Sequence, residues 1–392
     1  MSRQPPDIHV PARIAVYLRT PGQLRRDVTW CGIRPEHGDQ IEQAAAELLQ
    51  CPARLADLGR CATELFGDAQ WLADPWRDTP RDDTAGERFF LILPLLQHVQ
   101  PAREAYAARG IPERILRDTL ADFQIWIDTQ IERTGRVEFR EVGWLRESLR
   151  GRVFRLGRLQ FQPVVPCTLP FTLLVNTRSG IYCLVAHGGR RITTSGIFAD
   201  SEGAAEHPGI ELAFTEHDGE IRTAHPVLPS GLIATAPAAF EPGAWQRVLA
   251  PGTPVTALHI PAGAPLDFDA CRDAFRQAET FFPRYFGDHP RPRAATCTSW
   301  MFTSALGDIL APDANLVRFQ RAFYRFPVPN ATSAQAIERV FTFRGRVLNR
   351  TGLTSSLQRR LFDWMQTGDI PLNAGGLFPA PLSNWGTLFP PR

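Results

Sequence analysis

Hydrophobic residues between positions 37 and 150 recur at intervals of three or four. This is the spacing of an amphipathic α-helix, which packs one face against a core. The pattern predicts a helical domain over residues 37–150. A proline-rich N-terminal segment, residues 1–36, precedes it, and within that segment only residues 14–18 indicate a strand. The first two predicted faces are Ile41, Ala45, Leu48 and Leu49, and then Leu55, Leu58, Ala62 and Leu65.

Glycine and proline residues mark where the later helices of this domain begin and end. Residues 88–109 form one run that stops at Gly110, and the next helix opens at Pro112 and ends before Gly135. Glycine is common just past the last turn of a helix, and proline is tolerated in the first turn. Before these two helices, the polar stretch over residues 71–86 predicts a loop.

From Gly151 onward the hydrophobic positions alternate with a period of two, as in strands with one buried face. Residues 152–165 show this alternation first. Two predicted hairpins follow, one turning at residues 177–180 and one at Asp218-Gly219, because Asp-Gly between alternating runs favours a tight turn. We therefore assign residues 151–250 to a β-rich segment, which leads through a proline-rich connector over residues 226–254 to the last part.

Strands and helices alternate in residues 251–376. Strands joined by helical crossovers predict a partly parallel sheet. The expected fold class is therefore α+β, with a helical N-terminal domain followed by a mixed sheet, and residues 377–392 are assigned as an apolar tail. The predicted elements are strands over residues 255–260, 294–300 and 316–326, and helices over residues 268–282 and 305–310.

The composition restricts the chemistry available to this chain. It has 392 residues, of which 44% are hydrophobic, enough for more than one globular core. Arginine supplies all 43 basic residues, and lysine is absent. Schiff-base enzymes, Walker-type nucleotidases and kinase-like sites need a lysine and are therefore excluded. Any bound anion must be held by arginine or by backbone N–H groups.

Charge, hydropathy and cysteine content exclude several partners. The formal net charge is +2, and arginines are scattered among acidic residues, so we expect no nucleic-acid partner. The longest apolar stretch is too short to span a bilayer, and the N-terminus lacks the apolar core of a signal peptide. We expect a cytoplasmic protein without a membrane partner. Seven cysteines without a C-x-x-C pair predict reduced thiols and no metal site.

The segment HIPAGAPLD, residues 259–267, lies where a predicted strand gives way to a helix. In an open sheet with helical crossovers, ligands bind at the carboxyl ends of the strands. His259 lies at one such end, and Cys297, Thr298 and Ser299 lie at the same end of the next predicted strand. We therefore expect the two strands to present an imidazole, a thiol and hydroxyl groups to one crevice.

The loop after this histidine can bind an anion without a lysine. The backbone N–H groups of Ala262, Gly263 and Ala264 lie just before a helix, whose N-terminus favours negative charge. A structural interpretation is also open, because Asp267 can cap an ordinary helix that packs its hydrophobic face against the core.

Seven segments, taken together, point to a known family. They are GIPERILRDTLADFQIWI (110–127), VGWLRESLRGRVFRLGRLQF (142–161), VTALHIPAGAPLD (255–267), CTSWMF (297–302), ANLVRFQRAF (314–323), TSSLQRRL (354–361) and the pair Gly375-Gly376. This combination resembles a bacterial acyltransferase family in which a helical N-acyltransferase N-terminal domain precedes a GNAT-like C-terminal domain. The resemblance covers residues 87–376.

The resemblance implies how the C-terminal part binds its ligand. VTALHI would be the fourth strand of a GNAT fold, residues 261–266 the pyrophosphate loop, residues 268–282 the third helix and AATCTSW the fifth strand. In such folds the fourth and fifth strands part and admit the pantetheine arm of acyl-CoA or acetyl-CoA. The usual acetyltransferase motif, arginine or glutamine followed by two residues and Gly-x-Gly or Gly-x-Ala, is missing here.

The resemblance also assigns roles to residues. Acyl transfer from a thioester to an amine needs a base, donors for the developing oxyanion and an acid for the thiolate. His259 is the candidate base, because an unperturbed imidazole titrates near neutrality. Ser299 can donate a proton or a hydrogen bond, and Tyr324 is a more remote acid. Arg190 and Arg191 can hold the adenosine phosphate.

Each candidate also has a structural interpretation. A histidine or serine at a strand end is often structural, and a cysteine on a buried strand is usually inert packing. The string EHDGE, residues 216–220, is first of all a hairpin turn. The arginines at 190 and 191 and the basic face of residues 358–360 are typical of a solvated surface.

The sequence therefore predicts a two-domain acyltransferase. It would move an acyl group from acyl-CoA, or a similar pantetheine thioester, to an amine acceptor, with no metal. Two alternatives stay open. Cys297, activated by His259, can form an acyl-enzyme in a thioesterase-like hydrolase, or the fold can be a binding module without catalysis. The pattern assigns neither the acyl chain and acceptor nor the oligomeric state.

Overall fold

The structure, a computed structural model, describes residues 10–67, 83–204, 209–341 and 350–386. The chain divides into two compact units. The first comprises Met1–Leu156 and Pro261–Gly263, and the second comprises Gly157–Ile260 and Ala264–Arg392.

The described part of the first unit consists of ten α-helices and one short strand. These are α1 (Val10–Arg19), α2 (Gln23–Trp30), α3 (Pro35–Leu49), α4 (Pro52–Phe66), α5 (Ala85–Arg88), α6 (Ile92–Gln97), α7 (Val99–Ala108), α8 (Glu113–Leu120), α9 (Asp122–Thr134), α10 (Gly143–Leu149) and β1 (Phe154–Leu156). Ile41, Ala45 and Leu48 are buried on one face of α3, as their spacing predicts. The helical character of this part of the chain is confirmed.

The strand predicted at residues 14–18 is wrong, because these residues lie in α1. Ile14 and Ala15 are both buried, whereas Val16 is 63% exposed. Two adjacent buried residues followed by an exposed valine fit the angular spacing of a helix and not the alternation of a strand.

Each of the two long helical runs is divided in the structure. In residues 88–109, Pro94 lacks an amide hydrogen, and α6 begins two residues before it, so that the proline lies in the first turn. In the next run, α8 ends at Leu120 and α9 begins at Asp122. The buried carboxylate of Asp122 accepts a hydrogen bond from Trp144 Nε1 at 2.9 Å, a tertiary contact that periodicity does not reveal.

The polar loop predicted over residues 71–86 lies mostly outside the described residues, which resume at Asp83. The Thr84 hydroxyl accepts a hydrogen bond from the backbone N–H of Glu87 at 3.3 Å and caps α5. The predicted loop therefore extends too far, because its last two residues already belong to a helix.

The second unit contains the sheets and the remaining helices. Its strands are β2 (Leu159–Pro166), β3 (Phe171–Asn176), β4 (Tyr182–Ala186), β5 (Arg191–Ile192), β6 (Ile210–Glu211), β7 (Phe214–His217), β8 (Glu220–Pro226), β9 (Ala238–Ala239), β10 (Trp245–Leu249), β11 (Pro254–His259), β12 (Ala294–Ser299), β13 (Tyr324–Pro327) and β14 (Ala374–Pro379). Its helices are α11 (Phe268–Tyr285), α12 (Ala305–Ile309), α13 (Asn315–Arg321), α14 (Ala334–Phe341) and α15 (Ser356–Met365).

Two larger sheets organise this unit. The first has the strand order β2-β11-β12-β14-β13, and the second has the order β10-β3-β4-β8-β7 with β9 on β8. β11 and β12 are parallel, while β11 and β2, and likewise β12 and β14, are antiparallel. The predicted mixed sheet is therefore confirmed. One hydrophobic core joins both sheets and includes Phe171, Leu173, Val255 and Leu377.

The predicted hairpins are confirmed, but the strands within the predicted connector were missed. β3 pairs with β4 across residues 177–180, and β7 pairs with β8 across Asp218-Gly219. Both turn residues of the second hairpin have positive φ, 53° and 76°, as a type I′ turn requires. The predicted connector over residues 226–254 contains β9, which pairs with β8, and β10, which pairs with β3. β9 has only two residues, and β10 is an edge strand whose burial does not alternate.

The strand predicted over residues 316–326 is wrong in its first part, whereas residues 324–326 do lie in a strand. The structure has α13 there, followed by β13. Phe319 and Phe323 lie four residues apart, and their ring centroids are 5.1 Å from each other. The buried Gln320 side chain donates a hydrogen bond to the carbonyl oxygen of Thr303 at 2.6 Å. These tertiary contacts favour a helix although the local pattern alternates.

The predicted apolar tail is also partly wrong. Residues 377–379 belong to β14, which lies between β12 and β13 in the sheet. Further along, Trp385 is fully buried and stacks on Phe275 of α11 with ring centroids 4.8 Å apart. The described part of the tail therefore completes the core of its own unit.

The glycine pair in β14 allows two aromatic rings to pack on its opposite faces. A Cβ atom at Gly375 would overlap the ring of Phe326, and one at Gly376 would overlap the ring of Phe302. Interiors are close-packed, so neither ring can move away without disturbing its neighbours.

We expect Gly376→Ala to lower the free energy of unfolding by about 1–3 kcal/mol, because the added methyl group overpacks the core. Gly307→Ala in α12 is the matched control, since a Cβ atom there meets no atom within 4 Å. Urea denaturation of both variants measures the difference. Equal midpoints for the two variants would contradict the packing described here.

Candidate active site

β11 and β12 are neighbours over a short distance and then part. Their parallel register contains the pairs Thr256 with Ala295 and Ala257 with Thr296. By contrast, β11 pairs with β2 as far as its last residue, and β12 pairs with β14 as far as Ser299. Each strand therefore stays paired with its outer neighbour. The pairing between β11 and β12 stops before either strand reaches its carboxyl end.

A β-bulge in β2 lies opposite the part of β11 that pairs with β12. The register between β11 and β2 shifts between Val255 and Ala257. Thr256, at the bulge, donates a hydrogen bond from Oγ1 to the carbonyl oxygen of Pro163 at 3.1 Å. A bulge bends its strand and increases the local twist. The bend therefore belongs to β2, and β11 stays paired with β2 up to His259 after its pairs with β12 have ended.

The register also decides which side chains share a face of the sheet. Paired residues in neighbouring strands point to the same side, and successive residues alternate. Ala257 and Thr296 therefore share one face, which places His259 and Thr298 on that face. Cys297 and Ser299 lie on the opposite face, so the expected single crevice with imidazole, thiol and both hydroxyl groups is not formed.

The His259 imidazole is half-buried and contacts a glutamine that the sequence did not single out. Its Nε2 lies 3.1 Å from Oε1 of Gln162, on β2. Burial lowers the pKa of His259 to about 4, so the ring is neutral at pH 7. The side-chain amide of Gln162 can exchange a hydrogen bond with this ring nitrogen.

The other two catalytic candidates are in structural surroundings. Cys297 is buried, and desolvation raises the pKa of its thiol to about 12, so the reactive thiolate is a minor species at pH 7. The Ser299 hydroxyl accepts a hydrogen bond from the backbone N–H of Met301 at 3.3 Å and caps the short 3₁₀ helix Trp300–Phe302. Neither side chain is arranged for a reaction with His259.

The loop after β11 presents main-chain N–H groups. Ala262, Gly263 and Ala264 are exposed, and among the described residues their N–H groups have no acceptor. Gly263 has φ +87°, a conformation that glycine adopts without strain. Asp267 accepts a hydrogen bond from the backbone N–H of Ala270 at 2.8 Å and caps α11. The structural interpretation of this aspartate is therefore correct.

Arg158 is the residue near this loop that sequence reasoning missed. Its Nε donates to the carbonyl oxygen of Pro265 and its Nη2 to that of Ala264, both at 2.8 Å. The guanidinium thus occupies two carbonyl oxygens that would repel an anion, and it adds a positive charge beside them. The contact joins residues 106 positions apart, so no local pattern could indicate it.

Arg190 and Arg191 lie elsewhere in the second unit. The Arg190 side chain forms an ion pair with Asp200 at 3.4 Å, and Arg191 donates to the carbonyl oxygen of Gly209 at 2.8 Å. No hydrogen bond or ion pair in the described residues joins either arginine to residues 261–266. The structure gives these arginines local partners and does not bring them to the loop.

The remaining candidates also have local partners. Tyr324 lies on β13, which β14 separates from β12, and burial raises its pKa. Gln358 completes a capping box with Ser355 at the start of α15. The described residues contain no group of histidine, cysteine and acidic side chains that could hold a metal ion. Within the same residues, no helix is long and apolar enough to cross a bilayer.

Comparison with known proteins divides the chain into the same two kinds of domain. Residues 23–151 match the family model described as N-acyltransferase N-terminal domain. Residues 153–378 match the family model described as GNAT-like C-terminal domain. No curated protein matches the chain at a significant level.

Solved structures share this fold along nearly the whole chain. One is a mutant acyltransferase in complex with octanoyl-CoA, with 22% identity, 92% of this chain and 88% of the other covered, and a TM-score of 0.62. Another, an acyltransferase in complex with CoA and 10C-teicoplanin, has 21% identity, the same coverage and a TM-score of 0.63. Since the second family model spans more than half of the residues, the chain belongs to the family with a GNAT-like C-terminal domain, preceded here by an N-acyltransferase N-terminal domain.

Proposed function

We propose that this protein transfers an acyl group from acyl-CoA to an amine acceptor. The proposal depends on one observation: the pairing between β11 and β12 stops before the carboxyl ends of these strands. An extended arm with amide groups can take the place of the missing neighbour strand, as pantetheine does in the fold that this family shares. The structural neighbours in complex with octanoyl-CoA and with CoA support this donor.

The loop after β11 suits the charged end of the donor. The N–H groups of Ala262, Gly263 and Ala264 can donate to the pyrophosphate, and α11 begins just beyond them with its positive dipole end. Arg158 supports this part of the loop through the two carbonyl oxygens that it binds. Because the chain has no lysine, backbone N–H groups, a helix N-terminus and arginine are the groups that can bind a phosphate.

His259 acts as the base in this proposal. The amine nitrogen attacks the thioester carbonyl, the new C–N bond forms and the nitrogen becomes strongly acidic. The neutral imidazole of His259 accepts the proton at that stage, which a base with a low pKa can do. The C–S bond then breaks, CoA leaves as thiolate and takes up a proton, and the amide product remains.

Thr298 is the hydroxyl that we propose for the acid or oxyanion role in place of Ser299. It shares a face of the sheet with His259, and its side chain is exposed. Ser299 faces the other side and already accepts a hydrogen bond from the backbone. A hydrogen bond from this hydroxyl to the developing oxyanion becomes stronger as negative charge accumulates in the transition state.

The proposed setting is the cytoplasm. All seven cysteines are free thiols in the structure, as is usual for proteins in a reducing compartment. The thioesterase-like alternative has no observation in its favour, because Cys297 is buried and faces away from His259.

Arg158→Ala should weaken CoA binding about tenfold, since it removes a charge and two hydrogen bonds that orient the loop. Arg276→Ala is the matched control, because Arg276 lies on α11 in an exposed ion pair with Asp273. Isothermal titration calorimetry with CoA measures both. Equal dissociation constants for the two variants would exclude a role of Arg158 in the donor site.

His259→Gln should lower kcat by about 100-fold or more, the usual share of a general base, while the KM for acyl-CoA stays the same. His217→Gln, in an exposed hairpin, is the control. A second variant, Gln162→Glu, places a carboxylate beside the ring and should raise the pKa of His259 above about 4.

With the same acceptor, the pH below which kcat/KM falls should therefore be higher for Gln162→Glu than for wild type. A full rate in His259→Gln, or identical pH profiles for wild type and Gln162→Glu, would rule out His259 as the base.

Cys297→Ala should leave kcat unchanged, because the buried thiol stays protonated. Intact-protein mass spectrometry of the wild type after exposure to acyl-CoA should reveal no acyl adduct on this residue. An adduct that disappears in Cys297→Ala would establish the acyl-enzyme route instead.

A further inference from the structure

One charged group of the proposed donor has no partner in the site proposed above. Besides its diphosphate, CoA carries a phosphate monoester on the 3′ carbon of the ribose. Arg190 and Arg191, which were expected to hold an adenosine phosphate, have local partners elsewhere in the second unit. Because the chain has no lysine, the monoester requires another arginine near the loop that follows β11.

Three arginine side chains around the start of α11 already have acceptors within the protein. Arg158 donates to two carbonyl oxygens of the loop, both at 2.8 Å. Arg272 and Arg276, on α11 itself, form ion pairs with the aspartates three positions earlier, at 2.9 Å and 3.1 Å. A phosphate monoester would have to compete with these acceptors.

A fourth arginine, Arg318 on α13, lies over the first residue of α11. Its Cζ atom is 4.4 Å from the centroid of the Phe268 ring, and Phe268 directly follows Asp267, the N-cap of this helix. The Arg318 side chain is exposed, and it forms no hydrogen bond or ion pair with another of the described residues. Its N–H groups are therefore available to a ligand.

Aromatic packing fixes α13, and with it Arg318, beside the start of α11. Phe319, the next residue of α13, and Trp385 are fully buried, and their ring centroids are 5.5 Å apart. Trp385 in turn contacts Phe268, with ring centroids 4.9 Å apart. The backbone that carries Arg318 is therefore anchored in a close-packed core. An arginine held in this way loses less conformational entropy on binding than a free surface side chain.

The position of Arg318 suits a phosphate that lies close to the diphosphate. Phe268 is four residues beyond Ala264, and an extended chain of that length spans about 14 Å at most. In CoA only the ribose separates the 5′ diphosphate from the 3′ phosphate. A guanidinium that lies over an aromatic ring keeps its N–H donors at its edge, where they can bind two oxygens of a phosphate.

The acidic residues at this end of α11 have partners of their own. Asp267 accepts a hydrogen bond from the backbone N–H of Ala270 at 2.8 Å, and Asp269 pairs with Arg272. Each carboxylate is therefore directed at a group within the helix, and the charge of Arg318 remains for an external anion.

We infer that Arg318 binds the 3′-phosphate of the CoA donor, a phosphate monoester on a ribose. The inference rests on the proposed acyltransferase function, because it concerns the donor of that reaction. It also names the class of donor more narrowly. A pantetheine thioester on a carrier protein has no 3′-phosphate, so Arg318 favours free acyl-CoA over such a donor.

Isothermal titration calorimetry of the full chain with CoA and with 3′-dephospho-CoA tests this inference. We expect wild type to bind CoA about fivefold more tightly, the upper range for one exposed charge pair. In Arg318→Gln the affinity for CoA should fall to that for dephospho-CoA, whose own affinity should not change.

Arg321→Gln is the matched control. Arg321 is an exposed arginine of the same helix, and it donates to the carbonyl oxygen of Pro312 at 3.4 Å. This variant should keep the wild-type preference for CoA. Because Arg318 is exposed as well, Arg318→Gln is expected to fold, and its thermal midpoint checks this.

Three results would overturn the inference and leave the proposed function standing, because CoA still binds in each of them. They are equal affinities of wild type for the two ligands, an undiminished preference for CoA in Arg318→Gln, and an equal loss of affinity for both ligands in that variant. If wild type binds neither ligand, the proposed function fails, and the inference fails with it.

Discussion

The short parallel ladder between β11 and β12 is the feature on which the account depends. Two residue pairs hold the strands together, and beyond them β11 continues to pair with β2, past a bulge in β2 that lies opposite Thr256. Main-chain groups inside a protein need partners. A ligand with amide groups of its own can supply them where the neighbouring strand is missing. The divergence thus turns a regular sheet into a site for an extended arm.

The absence of lysine shapes the electrostatics of the proposed site. A phosphate has to be held by main-chain N–H groups, a helix N-terminus and arginine. Arg158 contributes by binding the carbonyl oxygens of Ala264 and Pro265, which leaves the loop with donors at its surface. Burial lowers the pKa of His259, and the neutral imidazole that results is the form that the proposed base role requires.

Sequence patterns predicted what depends on local spacing. The helix faces of α3 and α4, the two hairpins, and the order of strand, helix and strand in β11, α11 and β12 follow from residues close together in the chain. The prediction for residues 316–326 failed because aromatic packing and the buried Gln320 decided the structure there. The prediction of a single crevice was wrong because the pairing register between β11 and β12 decides which sheet face each side chain occupies. The sequence does not reveal that register.

Long-range contacts could not be predicted from the sequence for a related reason. Arg158 and Gln162 lie about a hundred positions from their partners near β11. Arg158 belongs to the family-like segment 142–161, but nothing in that segment assigns it this contact. In each case the residue type is ordinary, and its role arises from the neighbour that the fold provides.

Amide hydrogen exchange with and without ligand tests the central claim most directly. CoA should slow exchange in residues 258–260 and 297–299, because its pantetheine arm pairs with both strands. Adenosine 3′,5′-bisphosphate, which lacks that arm, should protect residues 262–266 alone. Strong protection of both strand ends in the free protein, with no further change when CoA is added, would mean that β11 and β12 are closed and would contradict the account.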